Sequence, residues 1–122
     1  MSLPSRLLRP RFVAAGRAAL GVSMLARPTL VPLLVGVETA AASQTAWVVQ
    51  MLGAREVALG VGLLAGGGRS WVTAGVFCDT VDAAALVLAV RSGAVPRNGG
   101  SAIVAVAGLA ALVGLLGLRR AR

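Results

Sequence analysis

Histidine, lysine and tyrosine are absent from this 122-residue chain, cysteine occurs once, and Asp and Glu together number only four. Without histidine, haem ligation by that side chain and most transition-metal sites are not expected. The lone Cys78 excludes an intrachain disulfide and offers no zinc-ligand spacing. Charged residues make up 13% of the chain, against about 25% in an ordinary soluble domain. With 57% of the residues hydrophobic, too little polar surface exists to cover a soluble globule.

What is present points to a bilayer. The run SAIVAVAGLAALVGLLGL, residues 101–118, carries no charge over roughly the length that crosses a hydrocarbon core. Four such segments use most of the chain, so one membrane domain covering residues 1–122 is expected, with no separate soluble unit. The net charge of +8 would suggest nucleic acid in a soluble protein. Here most of the Arg residues cluster at segment ends, where anionic lipid headgroups are the natural counterpart, and no nucleic-acid partner is expected.

The spans fall at about residues 7–26, 45–65, 71–90 and 101–118, an all-α, four-helix transmembrane bundle running up-down-up-down. A basic start and the small residues at Ala40 to Ala42 mimic a signal peptide, but Arg17 inside the apolar core and the distance to Ala42 speak against removal. Between the first two spans, Pro32 and Gly36 break any regular crossing and leave a connection that lies at the interface or dips in. Gly66, Gly67 and Gly68 form the next turn, and Pro96, Asn98, Gly99 and Gly100 read as a loop before the last span. Trp47, Trp71 and Phe12 stand near span ends, where amphipathic rings settle among headgroups. Counting Arg on each side places Arg6, Arg9, Arg11, Arg69, Arg119, Arg120 and Arg122 against Arg27, Arg91 and Arg97, which puts both termini in the cytoplasm.

An internal echo links ALGVSMLA at residues 19–26 with ALGVGLLA at 58–65. Inverted repeats of transporters leave such traces, although an Ala-, Leu- and Gly-rich chain produces them by composition alone.

The chemistry-bearing residues lie within the spans. Folding the second and third spans into a hairpin sets residues whose numbers sum to about 135 level with one another. Glu56 then stands opposite Asp79, and Arg55 between Asp79 and Asp82, with Arg17 of the first span at similar depth. A charged residue at a helix centre costs roughly 2.5–3.5 kcal/mol, while each Leu or Val returns about 0.3–0.6. Arg17, Arg55, Glu56, Asp79 and Asp82 are therefore expected to turn inward and meet as an intramembrane polar cluster. Gly53, Glu56 and Gly60 share one helical face, as do Gly75, Asp79, Asp82 and Leu86, so the two faces are expected to close on each other. Two guanidinium groups against three carboxylates leave one acid without a cation of its own, the single proton-handling feature in the chain.

No catalytic, cofactor-binding or metal site follows from these residues, and no cofactor is expected. DTVDAAAL, residues 79–86, begins like the metal-binding motif of phosphatidyl-alcohol transferases, but Ala83 replaces the required Gly and the second acidic pair is missing. A divalent ion on Glu56, Asp79 and Asp82 is opposed by the adjacent Arg charges. The Gly66 to Gly68 turn lacks the Lys and Ser/Thr of a phosphate-binding loop.

GAREVALGVGLLA at residues 53–65, followed by the acidic third span at Asp79 and Asp82, resembles the small four-helix bacterial membrane proteins of an uncharacterised family near the DoxX-like group. The resemblance covers residues 17–118 and implies a helical bundle in the cytoplasmic (inner) membrane without an established activity. Some DoxX-like relatives look like membrane partners of redox proteins, which implies quinone-linked chemistry. Three roles are expected to compete: a structural or accessory protein held by its polar layer, a small proton- or cation-coupled carrier, and a membrane subunit of a redox complex. The partners expected are the lipid bilayer and, through small-residue faces such as Ala107, Ala111 and Gly114, a second copy or another membrane protein.

Overall fold

Within lipid a backbone can satisfy its polar groups only as helix or closed barrel, and helix is the regular structure throughout the described residues. The computed structural model describes residues 10–66 and 68–120. Its elements are α1 (Pro10–Ala26), α2 (Leu30–Leu34), α3 (Thr39–Gln44), α4 (Ala46–Leu64), α5 (Arg69–Arg91) and α6 (Arg97–Arg120). Arg6, Arg9, Gly67 and Arg122, used above for orientation and the turn, lie outside the described residues.

Three helices are long and apolar enough to cross a membrane: Ala46–Leu64, Arg69–Arg91 and Arg97–Arg119. At 17 residues α1 is the shortest of the long helices, about 26 Å by helical rise. Burial runs opposite to that of a soluble domain. Among the described residues the buried apolar side chains are only Ala14, Ala42, Val49 and Leu59, while Phe77 is 69% exposed and α6 turns Val106, Leu109 and Leu112 outward. Glu56 and Asp79 are each only 6% exposed. Large apolar side chains outside and carboxylates inside are what a hydrocarbon solvent selects.

The helices pair closely as α1 with α4 and α5 with α6, whereas α4 and α5, though consecutive, approach each other sparingly. Small residues explain the first pairing. A Cβ on Gly21 would lie 2.5 Å from the Gly53 carbonyl oxygen, and one on Gly60 would lie 2.6 Å from that of Ala14. The backbones of α1 and α4 thus run antiparallel in direct contact, the close approach that glycine permits between membrane helices. In the second pair, a Cβ on Gly114 would strike the Val76 side chain.

Connections follow from Pro and Gly. Arg27 and Pro28 end α1, since proline cannot donate to the preceding turn. The segment expected to be an irregular connection folds instead into the two short helices α2 and α3, separated by Gly36 at φ +88°. Pro32 is accommodated because it lies in the first turn of α2, where its missing N–H has no intrahelical acceptor. A second expectation is corrected at the far end of α5: Asn98, Gly99 and Gly100 belong to the first turns of α6 rather than to a loop. Gly99 lies against the Val35 backbone, where a Cβ would overlap the Val35 carbonyl. It is glycine for closeness, not for turning.

Candidate functional site

The five charges expected to turn inward gather where the two helix pairs face each other. Arg17 comes from α1, Arg55 and Glu56 from α4, and Asp79 and Asp82 from α5. α6 contributes none, its stretch from Ser101 to Leu118 being uncharged. The sparse approach of α4 to α5 leaves a gap that long Arg side chains bridge.

Arg17 donates from Nη1 to Glu56 Oε2 at 2.8 Å and from Nη2 to Asp79 Oδ2. Arg55 donates from Nη2 to Glu56 Oε1 at 3.2 Å and holds Asp82 with both terminal nitrogens, the Nη1–Oδ1 distance being 3.1 Å. The result is a continuous series of alternating sign: Asp79, Arg17, Glu56, Arg55, Asp82. Each cation is shared between two acids, and Glu56 at the centre is shared between two cations. The surplus acid expected from the charge count is therefore not stranded, since each of the cluster's three carboxylates touches at least one guanidinium.

The hairpin placed Glu56 directly against Asp79. In the structure the guanidinium of Arg17 joins them, and the room it occupies comes from Gly75, where a Cβ would lie 3.2 Å from Nη2. Arg55 pairs with Asp82 and Glu56 rather than with Asp79. The expected closure of the Gly53–Gly60 face on α5 is also corrected: those glycines meet α1, because Gly21 and Ala14 present the matching flat surface.

Gly21 and Ala14 went unrecognised as partners of that surface, although a signal for them exists. Ala14, Arg17 and Gly21 have the same spacing as Gly53, Glu56 and Gly60. Exchanging the two triplets maps the contact of Gly21 with Gly53 onto that of Gly60 with Ala14, and sets Arg17 against Glu56 on the exchange axis. The internal echo thus coincides with a local pseudo-twofold in the α1–α4 pair.

One oxygen from each of Glu56, Asp79 and Asp82 lies within 4.8 Å of the others, a separation that would suit a metal ion. The chemistry of the donor set does not fit one. Two guanidinium groups already donate to all three acids, and a divalent cation would have to displace them. The Arg55 Nε, buried without an acceptor, is the one orphaned side-chain donor among the described residues. Burial falls along the series: Arg17, Glu56 and Asp79 side chains are almost closed off, while those of Arg55 and Asp82 are 30% exposed.

Chain and fold together define a multi-pass helical membrane protein with an ion-paired layer between two helix pairs. Comparison with family models, curated proteins and solved structures finds no match to this chain.

Proposed function

We propose that the protein is an accessory or structural component of the bacterial cytoplasmic membrane, a four-helix, up-down-up-down bundle with both termini in the cytoplasm. Its intramembrane charges serve as a clamp between two preformed helix pairs. The observation carrying this reading is the alternating series itself: each acid of the cluster is held by Arg, and the series joins α4 to α5, whose backbones approach each other only sparingly. A fourth crossing is supported by α1, which lies antiparallel on α4 from Gly21·Gly53 to Ala14·Gly60 and so shares its depth. The Arg count favours the cytoplasmic side for both ends.

The test is Asp79→Asn, which keeps the shape of the side chain but removes the charge facing Arg17. A clamp loses folded yield in membranes, and that loss does not depend on any transported ion. Unchanged yield and unchanged unfolding in detergent would remove the clamp reading.

A second reading, a small proton- or cation-coupled carrier, is favoured by the excess of one carboxylate and by the gradient of exposure from Asp82 inward to Asp79. The DoxX-like resemblance supports a third, a membrane partner of a redox protein. Gentle solubilisation followed by mass spectrometry separates it, since a flavin- or iron–sulfur-bearing subunit would co-purify.

A further inference from the structure

Arg55 and Asp82 hold each other on the outer side of the α4–α5 seam, with 30% of each side chain open to the surroundings. They stand midway along their helices, nine residues into α4 and thirteen into α5, counted from Ala46 and Arg69. Hydrocarbon at that depth offers no hydrogen bond to an ion pair. The flanking positions Ala54, Ala58 and Ala85 are small and exposed, so another helix surface can come close.

We propose that this face docks a second copy of the chain about a twofold axis along the membrane normal. The inference rests on the membrane reading above. Such an axis keeps each residue at its own depth and sets α4 of one copy opposite α5 of the other. Arg55 and Asp82 are level, because they pair within one chain. Each copy's Arg55 therefore faces the second copy's Asp82, and the two half-open ion pairs close into a ring of four alternating charges. A lipid chain supplies no such complement, and an unrelated protein would need opposite charges at the same depth. A second copy has them by symmetry.

The experiment uses the full chain, fluorescently tagged at its C-terminus, in phosphatidylcholine–phosphatidylglycerol vesicles, with single-molecule photobleaching over a range of protein-to-lipid ratios. The expected result is a two-step population that gives way to single steps on dilution, with Ala58→Trp weakening association at least tenfold while leaving membrane yield unchanged. Single steps at every ratio would overturn the proposal and assign the face to lipid. A dimer indifferent to Ala58→Trp would overturn it in favour of another face. Arg55→Asp and Asp82→Arg supply an independent readout: each alone places like charges together, whereas co-expressed chains present opposite charges across the axis. Mutual recovery of yield supports the proposal, and yields as low together as apart overturn it. Asp79→Asn, at a pair this interface does not touch, reports on the clamp separately.

Discussion

Arg17 in α1 donates to Asp79 in α5, 62 positions further along the chain, and among the described residues it is the one cation that Asp79 contacts. Glu56 stands differently, because both of its Arg partners hold another acid as well. Connectivity therefore ranks the layer.

Arg17→Met should be the most damaging single change in it. Removal strands Asp79 in a buried site and takes one of two cations from Glu56, and breaking a buried pair in this way costs roughly 3–5 kcal/mol. Glu56→Gln leaves Arg17 with Asp79 and Arg55 with Asp82, so its loss should be smaller. The triple variant Arg17→Met, Glu56→Leu, Asp79→Leu removes the closed end of the series and keeps the neutral Arg55–Asp82 pair. Its folded yield should exceed that of Arg17→Met alone, because replacing a whole buried ionic set by apolar groups is often neutral or stabilising by about 1–4 kcal/mol. Denaturant titration of the purified variants in one detergent measures the order. A triple variant less stable than the single one would contradict a purely structural layer.

The α1–α4 contact should tolerate no side chain. Gly60→Leu sets a branched group where even a Cβ lies 2.6 Å from the Ala14 carbonyl and 2.7 Å from the Ala18 amide nitrogen. Both obstacles are backbone, so the helices must part, and overpacking of this kind costs at least about 1–3 kcal/mol. Parting them also lifts Arg17 away from Glu56. Gly108→Leu in α6 is the control, since nothing lies within 4 Å of its added Cβ. Thermal unfolding followed by circular dichroism should show a large fall in Tm for the first and little change for the second.

How far these features were legible in the sequence varies with their physical origin. The long apolar helices follow from composition and length, and the inward turn of the charges follows from the cost of facing lipid. The level relation of α4 and α5 was readable from the turn between them: Gly62 against Trp71 and Arg55 against Asp82 sum near the expected value. Which face of α4 meets α1 was not readable that way, because it depends on long-range fit between Gly21 and Gly53 rather than on any local turn. Gly99 misled for a related reason. Glycine signals both a turn and a close approach, and only the Val35 backbone beside it distinguishes the two.

Trp71 should respond to a change in α4 that leaves the charges alone. A Cβ on Gly62 would lie 2.5 Å from the indole ring, which is itself 41% exposed. The ring can swing outward, so Gly62→Val should displace it with only a modest loss of stability, on the order of 1 kcal/mol. In a Trp47→Phe background, Trp71 is the remaining tryptophan. Brominated lipids should then quench it more strongly in Gly62→Val than in the parent.

The carrier reading makes a demand that the clamp does not, and Asp82 is where they part. Its carboxylate lies at the open end of the series, 30% exposed, while Asp79 lies at the closed end beside Arg17. The carrier reading requires water rather than lipid at the open side, so that an entering proton meets Asp82 first and is relayed past Arg55 and Glu56. Under that reading Asp82→Asn abolishes flux yet leaves the closed end, and so most of the fold, in place. Under the clamp reading no flux exists to abolish, and the same variant loosens the Arg55 contact while Arg55 keeps Glu56. Vesicles containing the full chain and a trapped pH dye, given an inward proton gradient with potassium and valinomycin to clamp the voltage, measure the difference. Acidification no faster than in empty vesicles sets the carrier aside; faster acidification lost in Asp82→Asn establishes it, because a layer that merely holds helices together has no reason to move protons.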